Sequence, residues 1–261
     1  MIQLEPWIPY MGNKASLLGN IEATIKQLAI PNPTCIVDAF CGGGSFGYYM
    51  ATRGYKVIMN DLDPGVINLH KTLQMHPERL ELFKKVAPTK EEFKACVNGN
   101  SDYDAYVKYI WSFGTKGDTY LTSLENESNK IEEYWRGEAE PNSRVKHLED
   151  IVLMYAHCKP DITFVNGSYD ELEIPEGALV YADPPYINTG EYLMDSFDHG
   201  KFYQWLKEQK EIVLVSEYTM PDEFPLIDAY NKNCVMAGAD GRKATIEKLF
   251  ANRELPLLRL F

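Results

Sequence analysis

The amino-acid sequence predicts an α/β fold, built on an open and mostly parallel sheet and interrupted once by a mainly helical insert. Three observations carry that prediction. Short apolar runs alternate with amphipathic helical patterns up to Leu73 and again from Val145 onward, the signature of βα units. Between Lys71 and Asp150 the alternation stops, and the chain there is charged, aromatic and mostly helical by pattern. Near the end, Cys234–Ala237 and Thr245–Phe250 flank Gly238-Ala-Asp-Gly241 and suit an antiparallel pair.

The first helix places Leu17, Leu18, Ile21, Ile25 and Leu28 at spacings of three and four, so one face is apolar. Pro31 and Pro33 end it. Tyr10-Met-Gly-Asn-Lys14 precedes it. A cation at a helix start sits at the unfavourable end of the dipole. Lys14 therefore reads either as a surface lysine or as a cation that, with backbone N–H groups, holds an anion.

Cys35–Val37 is a short buried strand, with Asp38 at its end and Phe40-Cys-Gly42-Gly-Gly44-Ser45 after it. Glycines let the chain turn tightly and pass close to a ligand. This is not the G-x-G-x-x-G of dinucleotide enzymes. An acid at the mouth of the loop opposes a pyrophosphate and suits an ammonium or hydroxyl groups; the alternative is an ordinary glycine-rich βα turn. Tyr55–Met59 is the next strand and runs into Asn60-Asp61-Leu62-Asp63-Pro64. An acid in the position of Asp61 can accept hydrogen bonds from ribose hydroxyls. Asp63 before Pro64 reads as a helix N-cap. Val66, Ile67, Leu69, His70 and Leu73 form the following helix face, with His70 expected at the surface or half-buried.

In the insert, Phe83 and Val86 suit one helix face and Tyr106, Tyr109, Ile110 and Phe113 another. Trp111-Ser-Phe-Gly-Thr-Lys-Gly-Asp-Thr-Tyr120 looks like a loop or hairpin tip. Such a tip suits a DNA groove or a stacked base, or is a plain surface hairpin. After a helix over Val145–His157 the alternation resumes. Asp161–Val165 is a strand followed by Asn166-Gly-Ser168-Tyr169, and Glu211–Ser216 is the last parallel strand, preceded by a helix over Lys201–Gln209. Between them, Ala178–Ala182 stops at Asp183-Pro-Pro-Tyr186. Prolines cannot continue a central ladder. A carboxylate, a stiff turn and an aromatic ring are thus held where a strand ends, which is where open α/β sheets bind ligands.

Composition narrows the classes. The net charge of −12 argues against a large sequence-independent affinity for nucleic acid. The acidity is concentrated between Ile151 and Leu226, with 14 acids against 4 bases, so a small basic surface elsewhere stays open. No apolar run approaches the roughly 18–20 residues of a membrane span, and no signal peptide is visible. Cys35, Cys41, Cys96, Cys158 and Cys234 are scattered without a C-x-x-C pair, which opposes a zinc site or a disulfide framework. A cytoplasmic protein with reduced thiols and no metal is expected.

Taken in order, these motifs resemble the Dam-type adenine-specific DNA methyltransferases. Tyr10-Met-Gly-Asn-Lys14 resembles the N-terminal cofactor motif, with Tyr10 where tryptophan is frequent. Asp38-Ala-Phe-Cys-Gly-Gly-Gly44 is similar to the D-x-F-x-G-x-G methionine-binding loop, Asn60-Asp61 to the ribose-binding acid, and Asp183-Pro-Pro-Tyr186 to the catalytic motif. Arg242–Asn252 resembles the closing element. The resemblance implies a Rossmann-like methyltransferase sheet made by residues 1–70 and 151–261, with residues 71–150 as a target-recognition insert. It implies S-adenosylmethionine as cofactor, held by Tyr10, Lys14, Asp38, Phe40, Gly42, Gly44, Ser45, Asp61, Leu62, Ser168 and Asp183. Asp183, Pro184 and Tyr186 would be catalytic. Duplex DNA would be the partner, met by Trp111, Ser112, Lys116, Tyr120 and, in the polar loop after Tyr186, Asn188. A monomer or weak dimer without an obligatory protein partner is expected. The same motif set also serves RNA or protein-amide methylation, or a non-catalytic DNA-binding relative.

Overall fold

A computed structural model describes residues 8, 14–84, 88–112, 119–120, 143–186, 197–233 and 244–256. A 3-10 turn over Ala15–Leu17 leads into α1 (Leu18–Gln27), followed by β1 (Ile36–Asp38), α2 (Ser45–Ala51), β2 (Val57–Asp61) and α3 (Pro64–Met75). Three insert helices come next, α4 (Glu78–Phe83), α5 (Lys90–Cys96) and α6 (Asp102–Ile110), and then α7 (Ser143–Cys158). The chain continues through β3 (Ile162–Asn166), β4 (Leu179–Ala182), α8 (His199–Glu208), β5 (Ile212–Glu217), β6 (Leu226–Asn233) and β7 (Ala244–Ala251).

The strands form one sheet in the order β3-β2-β1-β4-β5-β7-β6. The first five are mutually parallel, and β7 runs antiparallel between β5 and β6. This is the mostly parallel, Rossmann-like sheet that the sequence predicts. From β1 the chain moves outward to β2 and β3, then returns to lay β4 on the other side of β1. The carboxyl ends of β1 and β4 therefore flank a topological switch point, where such sheets bind ligands. The terminal pair differs from expectation in one respect. Its first strand is Leu226–Asn233, and Cys234–Ala237 lies outside the described residues. Leu-Ile-Asp-Ala-Tyr-Asn-Lys-Asn is polar because β6 is the sheet edge, and its register shifts between Leu226 and Asp228.

Alternate residues of each strand feed two cores, as the pleat requires. Ile36, Met59, Leu179, Tyr181 and Leu214 face the side packed by α1, α2, α3 and the insert. Val37, Val180, Ala182, Val213 and Val215 face the side covered by Phe202, Trp205 and Leu206 of α8. The five apolar residues of the first helical pattern are all buried.

The insert joins the first of these cores rather than standing apart. The expected boundaries at residues 70 and 150 fall inside two continuous helices, α3 and α7, so both helices belong to the sheet layer. Two capping boxes start α5 and α6, Thr89 with Glu92 and Ser101 with Asp104. Helix α6 runs antiparallel along α3. Gly65 makes the approach possible, since a Cβ there would lie 3.3 Å from Ala105 Cβ. Asp102, at the start of α6, accepts from Thr72 (2.7 Å) and Arg79 (2.8 Å) toward the far end of α3. No helix among the described residues is long and apolar enough to cross a membrane.

Candidate active site

Asp38 ends β1, is 2% exposed, and accepts the Gly47 N–H at 3.0 Å through Oδ2. Burial, and then the nearby Asp183, push its pKa up to about 8 against the Gly47 hydrogen bond. The glycines after it adopt conformations that a side chain would strain: φ is 45° at Gly42 and 80° at Gly44, the residue that leads into α2. A Cβ on Gly44 would also lie 2.7–2.8 Å from the side chains of Tyr48 and Met59. Ser45 opens α2 and is buried. Phe40 is partly buried against Tyr169, Phe197 and Phe202, with centroids 5.2–5.9 Å away.

Asp61 ends β2, and its two carboxylate oxygens are oriented by backbone donors. Oδ2 accepts from Gly42 N (2.8 Å) and Oδ1 from Asp63 N (2.9 Å). Burial raises its pKa to about 6, and those two hydrogen bonds limit the rise. The adjoining Leu62 is 49% exposed, a large apolar side chain beside a strand-end acid. Asn60 is buried and donates to Ala39 O and Gly167 O, both at 3.0 Å, so it straps the glycine loop to the loop after β3. Ser168 in that loop bonds Asp170 rather than any of the three strand-end acids described in this section.

Asp183 follows β4, with Pro184 buried and Tyr186 half-buried. Its Oδ2 is 2.8 Å from Lys14 Nζ, a lysine that is 3% exposed. The same ammonium lies 3.4 Å from Glu247 Oε1 and 4.7 Å from the centre of the Tyr186 ring. The Tyr186 hydroxyl donates to Glu247 Oε1 and lies 3.2 Å from Ser216 Oγ, which itself donates to Glu247 Oε1 at 2.9 Å. Burial alone works against a charged Lys14, yet the charges of Asp183 and Glu247 win and hold its pKa above the ordinary lysine value. Burial is also the main force on Glu247, lifting it to about 7 against the pull of Lys14.

The anion held by Lys14 is thus the protein's own Asp183. Sequence reasoning missed Glu247 and Ser216; the available signal was an acid inside an apolar strand, Thr245-Ile-Glu-Lys-Leu-Phe250. It also misplaced His70, which is fully buried. Its Nε2 bonds Gly42 O at 2.8 Å, its Nδ1 bonds the Tyr48 hydroxyl at 2.9 Å, and its ring stacks on Phe164. With a carbonyl as partner, Nε2 carries the proton, so Tyr48 donates to Nδ1. His70 therefore supports the glycine loop from below.

Two of the residues expected at DNA are buried. Trp111 is 1% exposed and Ser112 0% exposed, so neither side chain is offered to a groove. They belong to the insert core because α6 ends there on its apolar face. Ser112 bridges to Tyr120, and Tyr120 donates to Pro88 O at 3.0 Å, so the pair ties the end of α6 to the segment before α5. Tyr10, Lys116 and Asn188 lie outside the described residues.

Three carboxylates, Asp38, Asp61 and Asp183, influence one another at the switch point without a clustered metal site among the described residues. Together with positive-φ glycines, that donor set fits a ligand carrying cationic and hydroxyl groups. Comparison with known proteins gives the following likenesses. Residues 10–209 match the model of the D12 class N6 adenine-specific DNA methyltransferase. The chain is 22% identical over 217 residues to the type II methyltransferase M1.LlaDCHI of Lactococcus lactis subsp. cremoris, covering 77% of this chain and 72% of that protein. Among solved structures, a Haemophilus influenzae protein described as a methylase (HI0767) aligns with a TM-score of 0.39 and 14% identity, over 91% of this chain and 99% of its own. The rRNA methyltransferase aviRa of Streptomyces viridochromogenes aligns with a TM-score of 0.42 and 10% identity, over 95% and 88%.

Proposed function

The chain belongs to the D12 class N6 adenine-specific DNA methyltransferase family, and from that premise we propose that it moves the methyl group of S-adenosylmethionine to N6 of an adenine flipped out of duplex DNA. The observation that carries the finer reading is the placement of Asp183-Pro-Pro-Tyr186 at the switch point, with Asp183 ion-paired to buried Lys14 and facing the acids of β1 and β2. The cofactor, when bound, supplies an electrophilic methyl on a sulfonium. Asp61 suits its ribose hydroxyls, Leu62 the face of its adenine, and Asp38 its ammonium.

Adenine N6 is a poor nucleophile because its lone pair is delocalised into the ring. Asp183 accepts one N6–H and the Pro184 carbonyl the other, which favours a tetrahedral nitrogen with its lone pair aimed at the methyl. As N6 takes the methyl, the methyl–sulfur bond would break to leave the neutral thioether, and N6 would give up one of its protons past Asp183 to solvent. An ammonium at 2.8 Å favours the ionised carboxylate that this role needs. Positioning and electrostatics carry the rate, and Tyr186 presents its ring to the flipped base. Flipping costs a few kcal/mol, offset by stacking and edge hydrogen bonds.

Plasmid DNA incubated with the chain and S-adenosylmethionine is expected to acquire N6-methyladenine at one recurring sequence, mapped by sequencing. Asp183→Ala is expected to abolish the mark while keeping the cofactor-induced rise in melting temperature. Unmarked DNA, or full activity in that variant, overturns the reading.

A further inference from the structure

Resting on this reading of the active site, we infer that Asp63, Lys108 and Tyr109 form a positioning junction that couples DNA engagement at the insert to cofactor affinity. Three observations meet at one carboxylate. Asp63 Oδ1 caps α3 by accepting from Gly65 N (2.8 Å) and Val66 N (3.4 Å). Its Oδ2 accepts from two consecutive side chains of α6, Lys108 Nζ (2.9 Å) and Tyr109 Oη (2.7 Å). Its backbone N–H is one of the two donors that orient Asp61.

The junction is built rather than incidental. Asp63 and Lys108 are 19% and 12% exposed, so the ion pair is largely shielded. N-capping alone needs only one oxygen and no charge, and Asn would serve as well as Asp. The second oxygen is given wholly to the insert. The path onward is short: Tyr109 is followed by Ile110, Trp111 and Ser112, and Ser112 bridges to Tyr120. At its other end α6 is fixed through Asp102 to Thr72 of α3 and Arg79 of α4. A load on the Ser112–Tyr120 bridge that shifts α6 therefore acts on Lys108 and Tyr109, through them on Asp63, and so on the N–H that holds the Asp61 carboxylate. In the opposite direction, a ribose on Asp61 fixes Asp63 and steadies α6. Reciprocity of this kind is required of any coupling between two sites.

The test measures the coupling itself on the full-length chain. The affinity of the non-reactive product S-adenosylhomocysteine is measured by calorimetry with and without a duplex carrying the mapped adenine site, and the ratio is the coupling factor. Wild type is expected to show a factor within the usual span of about 5- to 150-fold. Lys108→Met and Tyr109→Phe should each bring it toward one, and Lys108→Arg should restore most of it. Asp63→Asn, which keeps the cap, should behave like Lys108→Met. A merely structural role would lower the melting temperature and leave the factor intact, and that outcome overturns the inference, as does a wild-type factor of one. A wild type that leaves no N6-methyladenine on DNA sinks the proposed function instead, and the inference with it.

Discussion

Buried titratable side chains set the chemistry of this site, and each carries its own pH signature. His70 has both ring nitrogens engaged and no access to water, and burial lowers its pKa to about 4, with the Gly42 carbonyl opposing. The unfolded chain binds a proton near pH 6.5, so the stability that neutral His70 provides is complete above that pH. It is lost as pH falls from about 6.5 toward 4, by about 3 kcal/mol in all. Melting temperatures at pH 7 and pH 5 should therefore diverge more in wild type than in His70→Gln; equal divergence would show that another group carries the loss. Asp38 has the opposite sign, with a pKa raised to about 8 mainly by burial and then by Asp183. At pH 7 it holds a proton that a cation set against it expels. Cofactor binding at pH 7 is expected to release close to one proton through Asp38, measured by calorimetry in two buffers of different ionisation enthalpy. Asp38→Asn should abolish that share of the release.

At the scale of elements, the distinction between anchoring and contact residues decides what a mutation does. Trp111 closes α6 inside the core, so Trp111→Ala should cost about 3–5 kcal/mol as a cavity. The reading as a direct DNA contact expects lost affinity with an unchanged melting temperature. A variant that melts like wild type and binds DNA more weakly would reinstate the contact. The βα units were legible in the sequence because each strand is a short apolar run stopped by a glycine, proline or acid, as at Asp38, Asp61 and Asp183. The placement of Trp111 was illegible, because an aromatic at a helix end reads the same whether it faces a base or a core. Edge strand β6 was illegible because one side of its ladder meets solvent, which leaves the sequence polar. The polar cluster beneath Tyr186 was illegible for a different reason. Lys14, Ser216 and Glu247 lie on three separate elements, and only the antiparallel insertion of β7 beside β5 brings them together.

Across the whole molecule, charge decides how DNA is held. The net charge is −12, and the insert carries 12 bases against 15 acids. Several of its cations are already engaged: Arg79 with Asp102, Lys84 with Glu81 and Glu149, and Lys108 with Asp63. Those three pairs, set within a net negative charge, oppose a dense phosphate-binding surface among the described residues. Binding strength in such a protein comes less from counterion release, which contributes a slope of about −0.9 per phosphate contact in a plot of log K against log salt. In the proposed mode it comes more from base contacts and from seating the flipped adenine. A slope no steeper than about −4 is expected for the duplex with the mapped site, read by fluorescence anisotropy between roughly 50 and 200 mM salt. Non-specific duplex should bind weakly throughout, because little sequence-independent attraction remains. A slope near −8 would require a dense basic surface made by residues outside those described, and would overturn this account of how DNA is held.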